Sequence, residues 1–195
     1  METLAAPAQF EQNIRKSRFL AQAAPCADPE AAAAFIEQAS DPACRHNSWA
    51  FRVGDVYRFD DAGEPGGTAG QPILQAIEHQ RLDRVAVVVS RWFGGIKLGT
   101  GGLIRAYGGT AAECLRQARR RPIVAMVRLD LELPFALADS LHHLMDRHQA
   151  MKLQEEYASG GIRMRIKLPR DNRQAFEGQL LEASRGQCRI KAAGA

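Results

Sequence analysis

The alternation of hydrophobic and polar positions in the first half of the chain predicts short strands joined by tight turns. One hairpin is predicted over residues 10–24, with its turn at Arg15-Lys16-Ser17, and a second over residues 49–59, with its turn at Gly54-Asp55. The strongest strand signal runs from Arg84 to Ser90. Because this segment is apolar on both faces, we expect it to lie in the centre of a sheet.

The same half carries the spacing and the end signals of helices. Helices are predicted over three segments, which are residues 29–39, 72–80 and 100–120. Asp28 provides an N-cap for the first of them, with Pro29 at its first position. Gly108-Gly109 in the third weakens a helix by about 1 kcal/mol per glycine relative to alanine, which indicates a close approach to the sheet. Arg119–Pro122 is predicted to end that helix, because arginines complement its dipole and proline stops it, and the alternative for this run is a contact with nucleic acid.

The second half predicts a different order of elements. Strands are predicted over residues 124–133, 152–157, 162–168 and 187–191, and helices over residues 135–148 and 171–184. Ser159-Gly160-Gly161 is the predicted turn between the two middle strands. The order β-α-β-β-α-β is the ferredoxin-like, split βαβ pattern. The sequence therefore predicts two domains, residues 1–121 and 122–195.

Composition narrows the class of protein. The chain has 195 residues, of which 46% are hydrophobic, and its longest apolar run is far short of the roughly 20 residues that a membrane helix needs. The N-terminus lacks the pattern of a secretory signal, so we expect a cytoplasmic protein that does not contact a membrane. The four cysteines show no metal-ligand or disulfide spacing, so they are expected to be free thiols, and no metal site or cofactor is predicted.

The charge of the chain is mildly basic, and it permits two interpretations. The formal net charge is +4 and the isoelectric point is about 9.1. Most of these charges can form an ordinary solvated surface, or some of the 26 Lys and Arg residues can form a patch that faces a polyanion. Charge alone does not decide between the two.

The glycine-rich segment Ser90–Leu103, SRWFGGIKLGTGGL, is the most specific motif in the chain. A strand ends there, and a helix begins with free N–H groups, so an anion can bind. The alternative is a tight turn that needs glycines only for packing. Gly94 and Gly99 have Walker spacing without its Gly-Lys-Ser/Thr ending, and Ile104 replaces the third glycine of a dinucleotide fingerprint.

The motif SRWFGGIKLGTGGLIRAYGGT, at Ser90–Thr110, resembles the signature of the IMPACT/YigZ family. Three further matches precede it in order, at residues 16–19, 45–47 and 61–70, and the second half matches the second domain of bacterial members. The resemblance implies an α+β protein with an N-terminal domain similar to domain 2 of ribosomal protein S5. A ferredoxin-like domain resembling those of elongation factor G follows it. The resemblance also implies a link to regulation of translation, and it carries over no catalytic residue.

Residue chemistry and motif position together predict a ligand-binding site for phosphate or RNA. Its candidate residues are Arg45, His46, Asp61, Glu64, Thr68, Arg91, Gly94, Gly95, Lys97, Gly99, Thr100, Gly101 and Gly102. Arg91 and Lys97, beside an amide-rich turn, are the predicted phosphate ligands.

Several of these residues also have a purely structural interpretation. His46 can be a satisfied structural histidine, and Glu64 can cap a helix that begins near Thr68. Arg91 can pair with Asp61 or Glu64 to hold the loop. Tyr107, on the apolar stripe of the third helix, is predicted to be core.

Three functions are compatible with these patterns. The first is binding of RNA or the ribosome through the glycine-rich turn and the ferredoxin-like sheet. The second is an enzyme or binding protein for a small phosphorylated ligand, which a deep pocket holding His46, Glu64 and Arg91 together would favour. The third is an interaction module without a ligand that contacts a protein of the translation machinery. No nucleophile–base pair is evident, so no catalytic residue is predicted.

Overall fold

The structure is a computed structural model that describes residues 1–158 and 160–193. It separates into two compact units, one spanning Met1–Ile123 and one that begins at Val124. Within the described residues, none of the helices is long and apolar enough to cross a membrane.

The first unit is a five-stranded antiparallel sheet with helices on both faces. Its elements are β1 Glu2–Leu4, β2 Ala8–Ile14, β3 Ser17–Pro25, α1 Pro29–Ala39, β4 His46–Val53, β5 Val56–Asp60, α2 Gly70–His79, β6 Val85–Trp92, α3 Thr100–Gln117 and β7 Arg120–Pro122. The strand order in the sheet is β2-β3-β6-β4-β5, and β1 pairs separately with β7. The prediction that residues 84–90 form a central strand is confirmed, because β6 lies in the middle and is buried along almost its whole length.

Local sequence explains why these elements form. Arg15 and Lys16 both have positive φ, 44° and 69°, and they form the two-residue turn of the predicted first hairpin. Gly54, with φ 62°, lies in the turn of the second. The Asp28 Oδ1 accepts a hydrogen bond of 2.8 Å from the Ala31 N–H, as expected of an N-cap.

The core of the first unit lies mainly between the sheet and the helices α2 and α3. Val85, Val87 and Val89 of β6 face these two helices, and all three are fully buried. Their neighbour Ala86 faces the opposite side, where it packs in a smaller cluster against α1. The even and odd positions of β6 therefore serve two hydrophobic layers, which explains its unbroken apolar run.

Two expectations about α3 are wrong. The helix ends at Gln117, and the run at 119–122 does not cap it but enters β7, which pairs with β1. The backbone groups of β7 hydrogen-bond to those of β1, so they have partners that they would lack at the end of a helix.

Gly108 does approach another element closely, but that element is α2 and not the sheet. A β-carbon at Gly108 would lie 3.3 Å from the Pro72 Cβ, whereas Gly109 faces open space.

The second unit has the ferredoxin-like order that the sequence predicts. Its elements are β8 Met126–Leu133, α4 Ala138–Arg147, β9 Met151–Ala158, β10 Gly161–Pro169, α5 Arg173–Ala183 and β11 Arg189–Ala192, with 3₁₀ turns at Phe135–Leu137 and Arg170–Asn172. The antiparallel sheet has the order β11-β8-β10-β9. The predicted hairpin between β9 and β10 is confirmed, although Ser159 of its turn lies outside the described residues.

The core of the second unit lies between one sheet face and the two helices. Leu129 and Leu131 of β8 pack there with Leu141 of α4 and Phe176 of α5, and all four are buried. The predicted α+β class, an S5 domain 2-like unit followed by a ferredoxin-like unit, is confirmed.

Candidate functional site

A cleft of about 600 Å³ opens in the first unit where β4 begins, β6 ends and the chain turns into α3. We call it the glycine-turn cleft, and its lining residues are Ala43, Arg45, His46, Glu64, Pro65, Arg91, Trp92, Phe93, Lys97, Leu98, Gly99, Thr100 and Leu103. Seven of the residues predicted for the site are among them. The fold thus brings together residues from three separate sequence motifs.

The floor of the glycine-turn cleft is a buried ion pair. The Arg91 Nη1 donates a hydrogen bond of 2.7 Å to the Glu64 Oε1, and the two side chains are only 7% and 4% exposed. The Tyr107 hydroxyl donates to the same carboxylate oxygen, also at 2.7 Å. Burial, together with this hydrogen bond to Glu64, raises the pKa of the Tyr107 phenol, so it remains a donor at neutral pH. One carboxylate therefore holds two donors in a region that water scarcely reaches.

The guanidinium of Arg91 is not fully satisfied by this pair. Its Nε is buried and has no hydrogen-bond partner among the described residues. The rings of Phe19 and Phe93 lie near it, with centroids 5.6 Å and 5.4 Å from the Arg91 Cζ. A buried donor without an acceptor is unfavourable, and an acceptor that reached this N–H would stabilise the arginine.

His46 has its ring orientation fixed by the backbone. Its Nδ1 lies 2.9 Å from the carbonyl oxygen of Ala62, and because a carbonyl can only accept, Nδ1 carries the proton. In the neutral ring Nε2 is then the acceptor nitrogen. The histidine is therefore a structural donor at one nitrogen, as the sequence suggested, and its other nitrogen can accept a hydrogen bond from a ligand.

The glycine-rich turn forms the outer wall of the cleft. Gly94 packs directly on the β2–β3 turn, and a β-carbon there would lie 1.8 Å from the Lys16 carbonyl oxygen. Gly99 has φ 70°, a value that favours glycine, and its carbonyl accepts the first helical hydrogen bond of α3 from Leu103. Lys97 and Thr100 are exposed at this wall, so a flexible cation lies beside the free N–H groups of a helix start.

The remaining predicted site residues do not line the cleft, and two of them have structural roles. The Asp61 carboxylate accepts hydrogen bonds from three backbone N–H groups around the start of α2, those of Gly67, Ala69 and Gly70, at 2.7–2.9 Å. The Thr68 hydroxyl donates to the Pro65 carbonyl at 2.6 Å and is buried. The residues outside the lining are Asp61, Thr68, Gly94, Gly95, Gly101 and Gly102. Asp61, rather than Glu64, therefore holds the start of α2, whereas the alternative pairing of Arg91 with Glu64 is present.

Substitution of Asp61 by alanine should lower the free energy of unfolding by about 2 kcal/mol, the upper end of the range for helix N-caps. Three N–H groups lose their acceptor at once, whereas the cleft lining remains chemically intact. Urea unfolding followed by circular dichroism measures the loss. The variant Asp28→Ala is the matched control, because it removes an N-cap bond to one N–H group at α1 and should have a smaller effect.

The predicted set of site residues did not include the apolar part of the lining. Pro65, Leu98 and Leu103 contribute to the walls, and Phe93 remains 56% exposed at the rim. Trp92 is covered by the guanidinium of Arg18, which stacks 3.7 Å from its ring centroid. The sequence signal for this part was Phe93, an aromatic residue that follows the end of β6 and directly precedes Gly94-Gly95.

Comparison with known proteins places this site in a family. The sequence model described as the Impact N-terminal domain matches residues 15–115. The chain belongs to the IMPACT family. Every residue that lines the glycine-turn cleft, from Ala43 to Leu103, lies within the matched segment. A second family model, described as a domain of unknown function, matches residues 131–187 in the ferredoxin-like unit.

Relatives of this IMPACT-family chain cover nearly its whole length. It is 47% identical over 156 residues to an IMPACT family member of Thermus thermophilus, covering 80% of this chain and 86% of that one. It is 32% identical over 195 residues to the IMPACT family member YigZ of Escherichia coli, covering 96% and 95%. A solved structure described as that of a hypothetical protein matches with a TM-score of 0.80 at 32% identity, covering 99% of this chain and 97% of that one.

Proposed function

We propose that this IMPACT-family protein binds a small phosphorylated molecule in the glycine-turn cleft. The observation that carries the proposal is a cleft in which two exposed cations and the start of α3 lie beside the buried ion pair of Arg91 with Glu64. The cleft also joins His46 to these two residues, and this combination favours a small ligand over a flat polyanion surface.

The charge of the cleft suits an anion. Arg45 and Lys97 are exposed cations at its rim, and only Glu64 among the lining residues is acidic. The first turn of α3, an 18-residue helix, adds free N–H groups and the positive end of a helix dipole. Because Arg91 already neutralises Glu64, the two rim cations and the helix start remain for the phosphate.

The size and apolar walls of the cleft suit the organic part of such a ligand. A volume of about 600 Å³ lies within the range of small-molecule sites. Leu98, Leu103 and the exposed ring of Phe93 offer apolar contact. The Nε2 of His46 can accept a hydrogen bond from a ligand hydroxyl or amine. These features go beyond what a site for inorganic phosphate alone would need.

Ligand binding to the purified protein tests the proposal. Isothermal titration with inorganic phosphate, pyrophosphate and AMP should give saturable binding, with AMP tighter than phosphate. Each of the variants Lys97→Ala and Arg45→Ala should weaken binding about tenfold, which corresponds to about 1.4 kcal/mol. The control is Arg58→Ala, which removes an exposed cation of β5 outside the cleft.

Two results would reject the proposal. One is the absence of heat and of any rise in melting temperature with all three compounds at millimolar concentrations, since a ligand of the native state must stabilise it. The other is equal weakening by Arg58→Ala, which would indicate general attraction of anions.

RNA or ribosome contact is a second candidate function, and it is favoured by a separate surface in the second unit. A link to translation rests on the family resemblance alone.

A further inference from the structure

Within the second unit, α4 and α5 cover one face of the ferredoxin-like sheet, and the described residues of this unit place no helix on the other. Side chains on this open face alternate with the buried ones along β8 and β10. We define the open sheet face by its charged residues, which are Arg128, Asp130, Glu132, Glu156, Arg163, Arg165, Lys167, Arg189 and Lys191.

The strand register arranges these charges in rows across the sheet. In one row, Glu132 lies opposite Arg189 on one side and Arg163 on the other. In the next row, Asp130 occupies the same place between Lys191 and Arg165. Residues opposite each other share a face, so each carboxylate has a cation on both sides.

Each of these two carboxylates is in direct contact with one of its neighbours. Arg163 and Arg165 form ion pairs with Glu132 and Asp130 at 3.0 and 2.7 Å, yet 62% and 46% of the two arginine side chains remain exposed. The hydrogen bond from Arg165 lowers the pKa of the Asp130 carboxyl, which keeps it ionised. The carboxylates thus hold the arginines in place without covering them.

The charge of the second unit is concentrated on this face. From Val124 onward the chain has 11 Lys and Arg and nine Asp and Glu residues. Six of these cations but only three of these acids belong to the open sheet face. Arg128 and Lys167, which lie opposite each other, have no acid in their row. The face carries three excess positive charges, whereas the rest of the unit is close to neutral.

We propose that the open sheet face binds single-stranded RNA through its phosphates. Its cations recur at every second residue, about 6.6 Å apart along a strand, so an extended sugar-phosphate backbone can lie across successive rows. The guanidiniums of Arg163 and Arg165 are already oriented, and guanidinium is well suited to phosphate.

The absence of aromatic side chains from the described part of this face sets the mode of binding. Tyr157 lies opposite Ile162, whose side chain faces the helices, and its ring stacks with Phe135. Phe176 is buried in the core. Because the described residues of the face offer no rings on which bases can stack, binding depends on contacts to the phosphates, and such contacts do not distinguish one base sequence from another. We therefore expect affinity that depends strongly on salt and little on sequence.

Fluorescence anisotropy of labelled oligouridine and oligoadenosine with the intact protein tests this inference. At low salt both should bind with similar affinity. The double variants Arg128→Ala/Lys167→Ala and Arg189→Ala/Lys191→Ala should each weaken binding at least tenfold. Each should also reduce the slope of log affinity against log salt by about 1.4, which is two phosphate contacts at 0.7 apiece. The control Arg147→Ala/Arg173→Ala removes the same charge from α4 and α5 and should leave both quantities unchanged.

A variant that tightens binding excludes a trivial folding defect. Glu156→Gln removes an exposed carboxylate from the edge of the face and should increase affinity a few-fold. The inference is overturned if RNA fails to bind at low salt, or if the helix-face control weakens binding as much as the sheet-face variants do. It is also overturned if duplex RNA, free phosphate or polyglutamate competes as well as single-stranded RNA. Arg45→Ala and Lys97→Ala should not affect RNA binding, so the two proposals fail separately.

Discussion

Replacement of Arg91 by alanine is expected to lower the free energy of unfolding by about 3–5 kcal/mol, the usual loss when one partner of a buried ion pair is removed. Among the described residues, the Glu64 carboxylate would keep the Tyr107 hydroxyl as its side-chain partner, in a region where its own side chain is 4% exposed. An uncompensated buried carboxylate is costly, because it loses the charge and the hydrogen bond of the guanidinium that offset its burial.

The midpoint and slope of urea unfolding measure this loss. The matched control is Arg116→Ala, which breaks the ion pair with Glu113 on the surface of α3 and should change stability far less, since water screens that pair. The triple variant Arg91→Met/Glu64→Leu/Tyr107→Phe should recover much of the lost stability, because it removes both charges and the hydroxyl that donates to Glu64, and it retains volume. If Arg91→Ala lowers the free energy of unfolding no more than Arg116→Ala does, the Arg91–Glu64 pair is not the buried, stabilising contact described above.

The second large effect is expected from Gly94→Ala, which should destabilise the protein by about 3 kcal/mol or more, at the upper end of the effect of overpacking. The added methyl group would lie 1.8 Å from the carbonyl oxygen and 2.1 Å from the carbonyl carbon of Lys16. Both are backbone atoms, so a rotamer change cannot relieve the clash. The turn at the outer wall must move away from the β2–β3 hairpin, and phosphate binding should be lost with it.

The control for Gly94→Ala lies in α3. A β-carbon at Gly109 meets nothing within 4 Å, so Gly109→Ala should stabilise the protein by about 0.5–1 kcal/mol through helix propensity. Thermal unfolding and titration with AMP measure both variants. If Gly94→Ala unfolds at the temperature of the unmodified protein, the close packing of the turn on Lys16 does not hold.

The sequence predicted elements whose signals are local. The unbroken apolar run of β6, the N-cap at Asp28 and the hairpin turn at Arg15-Lys16 all depend on residues within one short window. β7 could not be found in this way, because its ladder partner is Glu2–Leu4 at the other end of the unit. An arginine run before proline has the same local pattern whether it caps a helix or pairs with a distant strand.

The contrast between local signals and contacts between distant segments also applies to the site. Lys97, Gly99 and Thr100 were predicted from one motif, and these three residues line one wall of the cleft, whereas the other predicted glycines do not. Asp61 and Glu64 were harder to separate, because both belong to one short loop. Their roles depend on the positive φ of Ala62 and Gly63, 47° and 81°, which direct the two carboxylates to different partners.

The contact between Tyr107 and Glu64 shows another limit of sequence reasoning. Tyr107 was correctly predicted to be core, and it is fully buried beside the ring of Phe19. Its hydroxyl group, however, meets a carboxylate from a different element. The apolar stripe of a helix indicates which side of the helix faces the core, but not which polar group accepts a hydrogen bond from a tyrosine hydroxyl.

The tethering of the cleft floor has a kinetic consequence. Arg91 is held by Glu64, Glu64 by Tyr107, and His46 by a backbone carbonyl, so these groups need no rearrangement when a ligand arrives. Only the long side chains at the rim, Arg45 and Lys97, lose freedom on association. Capture should then be a single bimolecular step whose rate rises linearly with ligand concentration, and differences in affinity between ligands should arise mainly from how quickly each one leaves.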